Sequence, residues 1–283
     1  MLEEARSRRG VALMGVCNVT PDSFSDGGRY LGFSAAAARV DELVAAGADI
    51  VDLGAESTRP GAKPVPAAEQ LARVLEVDRY AQERACVSID TTSPEVAAAC
   101  LDAGACIVND VSLLADDALA KVVAASGATL ALMHARGPME KMRGFSQYPD
   151  AGYGDIVADV VAEWAAAATR ARAAGVADDA LLMDPGLGFA KNARQSAELL
   201  RRTAEVVHAV GVPVLVGASR KSFLAPLAGT PDAPPEARLG ASLVAAVYAA
   251  QAGARVVRVH DVAETHQALV AWRALGPGTG GGA

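Results

Sequence analysis

The stretch AAGADIV, residues 45–51, runs from an Ala-rich segment through Gly47 into β-branched residues, and the same order returns in DAGACIV (102–108), ASGATLA (125–131) and QAGARVV (251–257). A glycine just past a helical run accepts the left-handed conformation that ends a helix. Gly47, Gly104, Gly127 and Gly253 are therefore expected to be helix-to-strand joints. A repeated unit of helix, glycine and strand is the signature of an α/β protein.

Working outward from these joints, eight short β-rich runs recur: VALMGVCNV (11–19), IVDLGAES (50–57), CVSIDT (86–91), CIVNDVS (106–112), TLALMHA (129–135), LLMDPG (181–186), VPVLVGAS (212–219) and RVVRVHDV (255–262). Near-continuous apolar strands alternating with Ala-rich helices imply parallel pairing with both faces covered. Eight strands and eight helical stretches in roughly 250 residues predict a single-domain α/β fold, the closed (β/α)8 TIM barrel. An open doubly wound sheet is the alternative, but its G-x-G-x-x-G fingerprint after the first strand is missing. The barrel is expected over residues 11–275, preceded by an extension at 1–10 and followed by a Gly-rich tail at 276–283.

Composition narrows the function. With 283 residues and 52% hydrophobic content the chain can bury a large core, and with 4% aromatics that core is aliphatic. A net charge of −7 and the lack of a Lys/Arg run argue against nucleic acid. The N-terminal apolar run is too short to span a bilayer and carries no signal-cleavage pattern, so no membrane association is expected and the cytoplasm is the expected location. Cys17, Cys86, Cys100 and Cys106 show no C-x-x-C spacing and are expected to be reduced thiols, most of them small core residues. No H-E-x-x-H or Cys/His cluster suggests zinc, and His208 and His266, inside helical stretches, are expected to be structural.

The C-terminal ends of the eight runs are polar throughout: Asn18; Glu56, Ser57, Thr58 and Arg59; Asp90; Asn109 and Asp110; His134; Asp184; Ser219, Arg220 and Lys221; Arg258 and His260. In a parallel barrel these ends share the rim where active sites are built. Cations sit late in the chain and in the second loop, while Asp90, Asn109 and Asp184 form a carboxylate–amide group, so the rim is expected to divide into an anion-binding sector and an acidic one. Asp184 opens DPGLGFAK, whose alternating glycines let backbone approach a flat ligand. A carboxylate facing an N–C–N edge makes paired hydrogen bonds, which suits a heterocycle such as a pterin. If a short helix starts at Ser219 in SRKSF, its N-terminus adds to an anion site. Asn18 could hold a hydrated Mg²⁺ only together with substrate phosphate oxygens.

With these residues in hand, the chain resembles the dihydropteroate synthases of the pterin-binding barrel family, through NVTPDSFSDGG, GAESTRPGA, SIDT, IVNDVS, LMH, DPGLGFAK, SRKSF and RVHDV, in family order from about Val11 to Trp272. The resemblance implies a folate-pathway transferase that condenses 6-hydroxymethyl-7,8-dihydropterin pyrophosphate with 4-aminobenzoate, with Mg²⁺ as cofactor and a homodimer as assembly. It implies that Asp90, Asn109, Met133, Asp184, Gly188 and Lys221 bind the pterin. Asp90, Asn109, Asp184 and Lys221 would be the catalytic set. Asn18, Arg59, Arg258 and His260 would hold pyrophosphate, with the metal at Asn18, and Thr58, Arg59, Pro60, Phe189, Ser219 and Lys221 would frame the aminobenzoate. The first two loops would be mobile covers over pyrophosphate and Mg²⁺. The chain departs from the family at MHARGPM, with Ala135 in place of Met and one residue missing before Pro138. The rival readings are a pterin-dependent methyltransferase domain, which would not require NVTPDSFSDGG or SRK, and a non-catalytic pterin-binding paralogue, which should have lost a rim residue.

Overall fold

The computed structural model describes residues 9–19, 28–56, 64–138, 141, 148 and 152–276. The first half contains β1 (Ala12–Asn18), α1 (Gly28–Ala45), β2 (Ile50–Gly54), α2 (Ala67–Gln82), β3 (Cys86–Asp90), α3 (Pro94–Ala103), β4 (Ile107–Asp110), α4 (Asp117–Ser126) and β5 (Thr129–Met133). The second contains α5 (Ile156–Ala173), β6 (Leu181–Asp184), α6 (Ala193–Arg201), α7 (Thr203–Val210), β7 (Leu215–Val216), α8 (Leu224–Leu227), α9 (Leu239–Gln251), β8 (Val256–Val259) and α10 (Val262–Leu275).

The strands pair in parallel in the order β6-β5-β4-β3-β2-β1-β8-β7. A parallel bridge from Met183 to Val214 joins the two ends of that sheet, so the barrel closes as the repeat predicts. All four joint glycines are left-handed, with φ of 98° at Gly47, 119° at Gly104, 71° at Gly127 and 99° at Gly253. Helix starts are equally local: Ser93 accepts from Val96 N–H to cap α3, and Asp116 accepts from Ala118 N–H to cap α4.

Strand alternation divides the core in two. Outward residues such as Leu13, Val51, Leu53, Val87, Ile89, Val108, Leu130 and Leu132 pack against the helices. Inward residues Ala12, Met14, Ile50, Ile107, Ala131, Leu182, Leu215 and Val256 fill the lower barrel. Above this apolar floor the inward positions turn polar, which places the site at the C-terminal mouth.

One expectation is corrected here. Cys86 and Cys106 lie at the starts of neighbouring strands, with Cα atoms 6.3 Å apart, and are joined as a disulfide. Only Cys17 and Cys100 are free, and both are buried. The spacing of 20 residues hides the pair because it is the β3–β4 register, not sequence proximity, that brings them together.

Candidate active site

Asp52, Asp90, Asn109 and Arg258 stand on inward positions of β2, β3, β4 and β8 and meet across the barrel. The Arg258 guanidinium donates from Nε to Asp52 Oδ2 at 2.6 Å and from Nη2 to Asp90 Oδ2 at 3.0 Å. Asn109 donates from Nδ2 to the same Asp52 oxygen at 3.5 Å. The other oxygens, Asp52 Oδ1, Asp90 Oδ1 and Asn109 Oδ1, are buried and have no hydrogen-bond partner among the described residues. Buried acceptors are normally satisfied, so these are poised for a donor-rich ligand.

This arrangement corrects the expected division of the rim. Arg258 sits inside the acidic group because a buried guanidinium requires counter-charge, and β8 and β2 flank β1 at the right height to supply it. Asp52 did not emerge from the strand-end comparison. Its signal is a charge two residues after Ile50 in an otherwise apolar strand, the parity that points it inward.

The opposite wall is the turn after β6. Asp184 Oδ1 accepts from Gly186 N–H at 2.7 Å, so the carboxylate shapes its own loop. Gly186 is left-handed at 65°, and a Cβ there would lie 2.0 Å from the His134 carbonyl oxygen, so only glycine fits. Lys221 Nζ donates to the Leu187 carbonyl at 2.6 Å and lies 4.5 Å from the Phe189 ring centre. Gly217 sits between the walls: a Cβ on it would stand 3.8 Å from Asp184 Oδ2, 3.8 Å from Arg258 Cβ and 4.0 Å from Lys221 Nζ. Val111, Met133, Ala135 and Phe189 form an apolar patch beside these groups. Val111 was missed because an apolar residue at a strand end carries no chemical signal. Ala135, the departure from the family pattern, lies within the patch.

The SRKSF segment differs from expectation. No helix starts at Ser219; α8 begins at Leu224. Arg220 adopts φ of 60°, which splits the basic run. Its side chain turns to Asp261, with one contact at 3.0 Å and a second, shorter one through Nη2. Its N–H donates to Ser242 Oγ at 2.9 Å, and its carbonyl accepts from Arg238 at 2.8 Å. Lys221 is thereby sent inward alone. Ser219 Oγ meets His260, accepting from its N–H at 3.2 Å and lying 3.1 Å from Nδ1.

Asp110 faces away from the mouth and binds Ser112 N–H, Ser112 Oγ and Leu114 N–H. Asn18 is exposed at the end of β1, with Oδ1 3.5 Å from the Cβ position above Gly54. Thr58, Arg59, Pro60 and the 20–27 stretch of the first loop lie outside the described residues. No group of three or more His, Cys, Asp or Glu side chains that could cage a metal occurs among the described residues.

Burial dominates the titration of the site. It raises Asp90 to about 7, against the opposing pull of Arg258. It raises Asp184 as well, with Lys221 resisting. Desolvation lowers Lys221 to about 8, with Asp184 opposing, and lowers His260 to about 4, assisted by Arg258 and Arg220. Groups balanced between two protonation states in a concave mouth are characteristic of catalytic sites. Orphan acceptors, an apolar platform and a buried ammonium can hold a flat heterocycle by its N–H edge and oppose charge that develops on it.

Comparison with known proteins agrees with this geometry. The pterin binding enzyme family model matches residues 14–260. The dihydropteroate synthase of Mycobacterium leprae is 46% identical over 275 residues, which cover 94% of this chain and 95% of that protein. A Xanthomonas albilineans dihydropteroate synthase structure with 4-aminobenzoic acid superposes with TM-score 0.85 at 40% identity, covering 94% of this chain and 93% of the other. A Thermus thermophilus dihydropteroate synthase in complex with 6HMPPP gives TM-score 0.78 at 39% identity, covering 94% of both chains. The fold and the mouth define a barrel enzyme of the pterin-binding class. The chain belongs to the pterin-binding enzyme family and, within it, to the dihydropteroate synthases.

Proposed function

We propose that this enzyme condenses 6-hydroxymethyl-7,8-dihydropterin pyrophosphate with 4-aminobenzoate to give 7,8-dihydropteroate and pyrophosphate. The observation that carries the reading is the convergence of orphan oxygens on Asp90 and Asn109 with Asp184 and Lys221 around one apolar platform. The pterin ring would rest on Met133 and Val111, near Gly188, and present its amino and ring N–H groups to Asp90, Asn109 and Asp184. Phe189, Ser219 and Lys221 would border the aminobenzoate, with Thr58, Arg59 and Pro60 contributed by the second loop.

As the bond from the methylene carbon to pyrophosphate oxygen breaks, positive charge grows on the pterin and negative charge on the leaving group. The carboxylates oppose the first; Arg258 and Arg59 oppose the second by charge, and neutral His260 can only add a hydrogen bond. The aminobenzoate nitrogen forms the new C–N bond with its lone pair and then loses a proton. No covalent intermediate on the protein is required. A single exposed amide oxygen at Asn18 fits a hydrated Mg²⁺ that takes its remaining ligands from water and substrate phosphate. Such an ion would neutralise charge on the departing pyrophosphate.

The test is incubation of purified protein with the pterin pyrophosphate, labelled 4-aminobenzoate and Mg²⁺. Labelled dihydropteroate is expected, and pterin binding without product would favour the non-catalytic reading. The pH dependence follows from the two central groups. Below about 7 Asp90 gains a proton and loses an acceptor site, and above about 8 Lys221 loses its charge. The kcat/KM profile for the pterin substrate should therefore be a bell with its maximum between these values. Lys221→Arg should remove the alkaline limb while leaving the acid limb in place.

A homodimer is part of the same proposal. Helix α9 exposes Val244 and Tyr248, and α10 exposes Val270. A shallow groove between them is lined by Leu243, Val244, Val247, Tyr248, Gln251 and Ala268. An apolar face of this kind is suited to isologous burial. The wild type should sediment as a dimer and Val244→Glu as a monomer; a monomeric wild type would refute the assembly. A cytoplasmic location is likewise part of the proposal; among the described residues no helix is long and apolar enough to cross a membrane.

A further inference from the structure

The last residue of DPGLGFAK is a lysine that the chemistry above leaves unused. Lys191 is fully buried. Its Nζ lies 3.0 Å from the Gly186 carbonyl, 3.1 Å from the Phe189 carbonyl and 2.9 Å from His134 Nδ1. An ammonium has three hydrogens and no acceptor. In the ammonium form each hydrogen has one partner, and Nδ1 then carries the lone pair.

The other ring nitrogen fixes the same tautomer. His134 Nε2 is 3.0 Å from Glu163 Oε2, so the Nε2–H donates to that carboxylate. Glu163, on α5, is kept ionised, at about 2, by its hydrogen bonds to His134 and Arg136. Burial holds His134 down at about 4 and also pulls Lys191 well below its ordinary value, with Asp184 opposing; the three acceptors grouped around Nζ are what favour the ammonium there. Arg136 binds Glu163 through Nε at 3.1 and 3.0 Å and stacks 3.7 Å from the Tyr153 ring centre. Tyr153 in turn donates its hydroxyl to the Ala190 carbonyl at 3.2 Å.

These contacts fall on a loop with little intrinsic order. Gly186, Gly188 and Ala190 are left-handed, at φ of 65°, 82° and 49°, in alternation with Leu187 and Phe189. No regular hydrogen-bond ladder can hold such a ribbon. Lys191 takes two of its carbonyls from below, Lys221 takes Leu187 from the mouth side, and Ser196 Oγ accepts Gly188 N–H at 3.0 Å.

We propose that Lys191 is a positioning residue for this reaction: its ammonium, aimed by the neutral His134 and the ionised Glu163, clamps the Gly186 and Phe189 carbonyls and so fixes the Phe189 wall of the aminobenzoate subsite. The proposal rests on the reaction assigned above. It weighs more on the aminobenzoate than on the pterin: Asp184 and Gly188 share the clamped loop, but Asp90, Asn109 and Lys221 stand on other segments and keep their hold on the pterin, and Asp184 is anchored at the end of β6.

Lys191→Met keeps the volume and removes the donors. It should raise KM for 4-aminobenzoate roughly tenfold, the loss of a charged hydrogen-bond set, while the Kd for dihydropterin pyrophosphate stays within about threefold. Glu163→Ala, on the half-exposed face of α5, should raise the same KM several-fold. The double variant should be no worse than Lys191→Met, since both act through one chain. Ring ¹⁵N NMR of wild-type His134 should show the Nε2–H tautomer, and Glu163→Ala should disturb it. An unchanged aminobenzoate KM in both variants, additive effects, a parallel loss of both substrates, or an Nδ1–H tautomer would each overturn the clamp. A wild type that makes no dihydropteroate would instead overturn the reaction, and the NMR result would still judge the clamp.

Discussion

Replacing Asp184 with Asn should lower kcat/KM by about 10³-fold while leaving the thermal midpoint within a few degrees of wild type. The carboxylate accepts from Gly186 N–H with one oxygen, and its other oxygen faces the gap where Lys221 and Arg258 approach Gly217. An amide of the same shape presents an NH₂ to one of these donors and gives up the negative charge that opposes a cationic pterin. The cost to catalysis is a lost charge–charge term in a water-poor site, where such terms are large. The cost to folding is small, because burial already disfavours the charged form: it raises the carboxyl above its ordinary value. A raised carboxyl contributes stability below its unfolded pKa and loses it as pH rises through the folded value. Asn does not titrate, so the variant should also lose that component of the pH dependence. Its Lys221, deprived of the carboxylate that supports its charge, should move the alkaline limb of the rate profile to lower pH. The checks are steady-state kinetics across pH and calorimetry on the same preparation. Wild-type kcat/KM would remove Asp184 from the site.

Much of this site was legible because a parallel barrel converts strand order into a ring. Once the four glycine joints and the β-rich runs identify the eight strands, parity sends Asp90, Asn109 and Asp184 inward, and the mouth follows. What escaped the sequence depends on distances across the ring or on backbone geometry at one residue. Arg258 and Asp52 are far apart in the chain and become a salt bridge only through β1 lying between their strands. Arg220 looked like one of three rim cations, but its left-handed backbone turns the side chain to Asp261. Cys86 and Cys106 looked like unrelated thiols until the register of β3 and β4 joined them. His134 was legible only as a polar strand end, and its burial and its link to Lys191 required the loop to fold back over β5.

Replacing Arg258 with Ala should abolish most turnover and also destabilise the fold by about 3–5 kcal/mol, the penalty for stranding buried partners of an ion pair. The reading from sequence alone is that this residue reaches outward to pyrophosphate, so that its loss would spare the fold. The contacts with Asp52 and Asp90 give it a second, structural role, so that its loss cannot spare the fold. Without the guanidinium two carboxylates face each other in the barrel with no cation between them. Asp90 already lies at about 7 through burial, with Arg258 as the group that lowers it and Asp52 as one that raises it. Its carboxyl should climb further in the variant, and the acid limb of any remaining activity should move to higher pH. The effect on stability should be greatest at high pH, where both carboxylates must ionise, and should fade as acid neutralises them. Adding Asp52→Asn to Arg258→Ala should recover part of the lost stability by removing one of the stranded charges, but not the activity, because the cation that meets the leaving group is still missing. Denaturant melts at several pH values, with rates on the single and double variants, separate the two roles. If Arg258→Ala melts like the wild type at every pH, the guanidinium is not the counter-charge of the barrel interior.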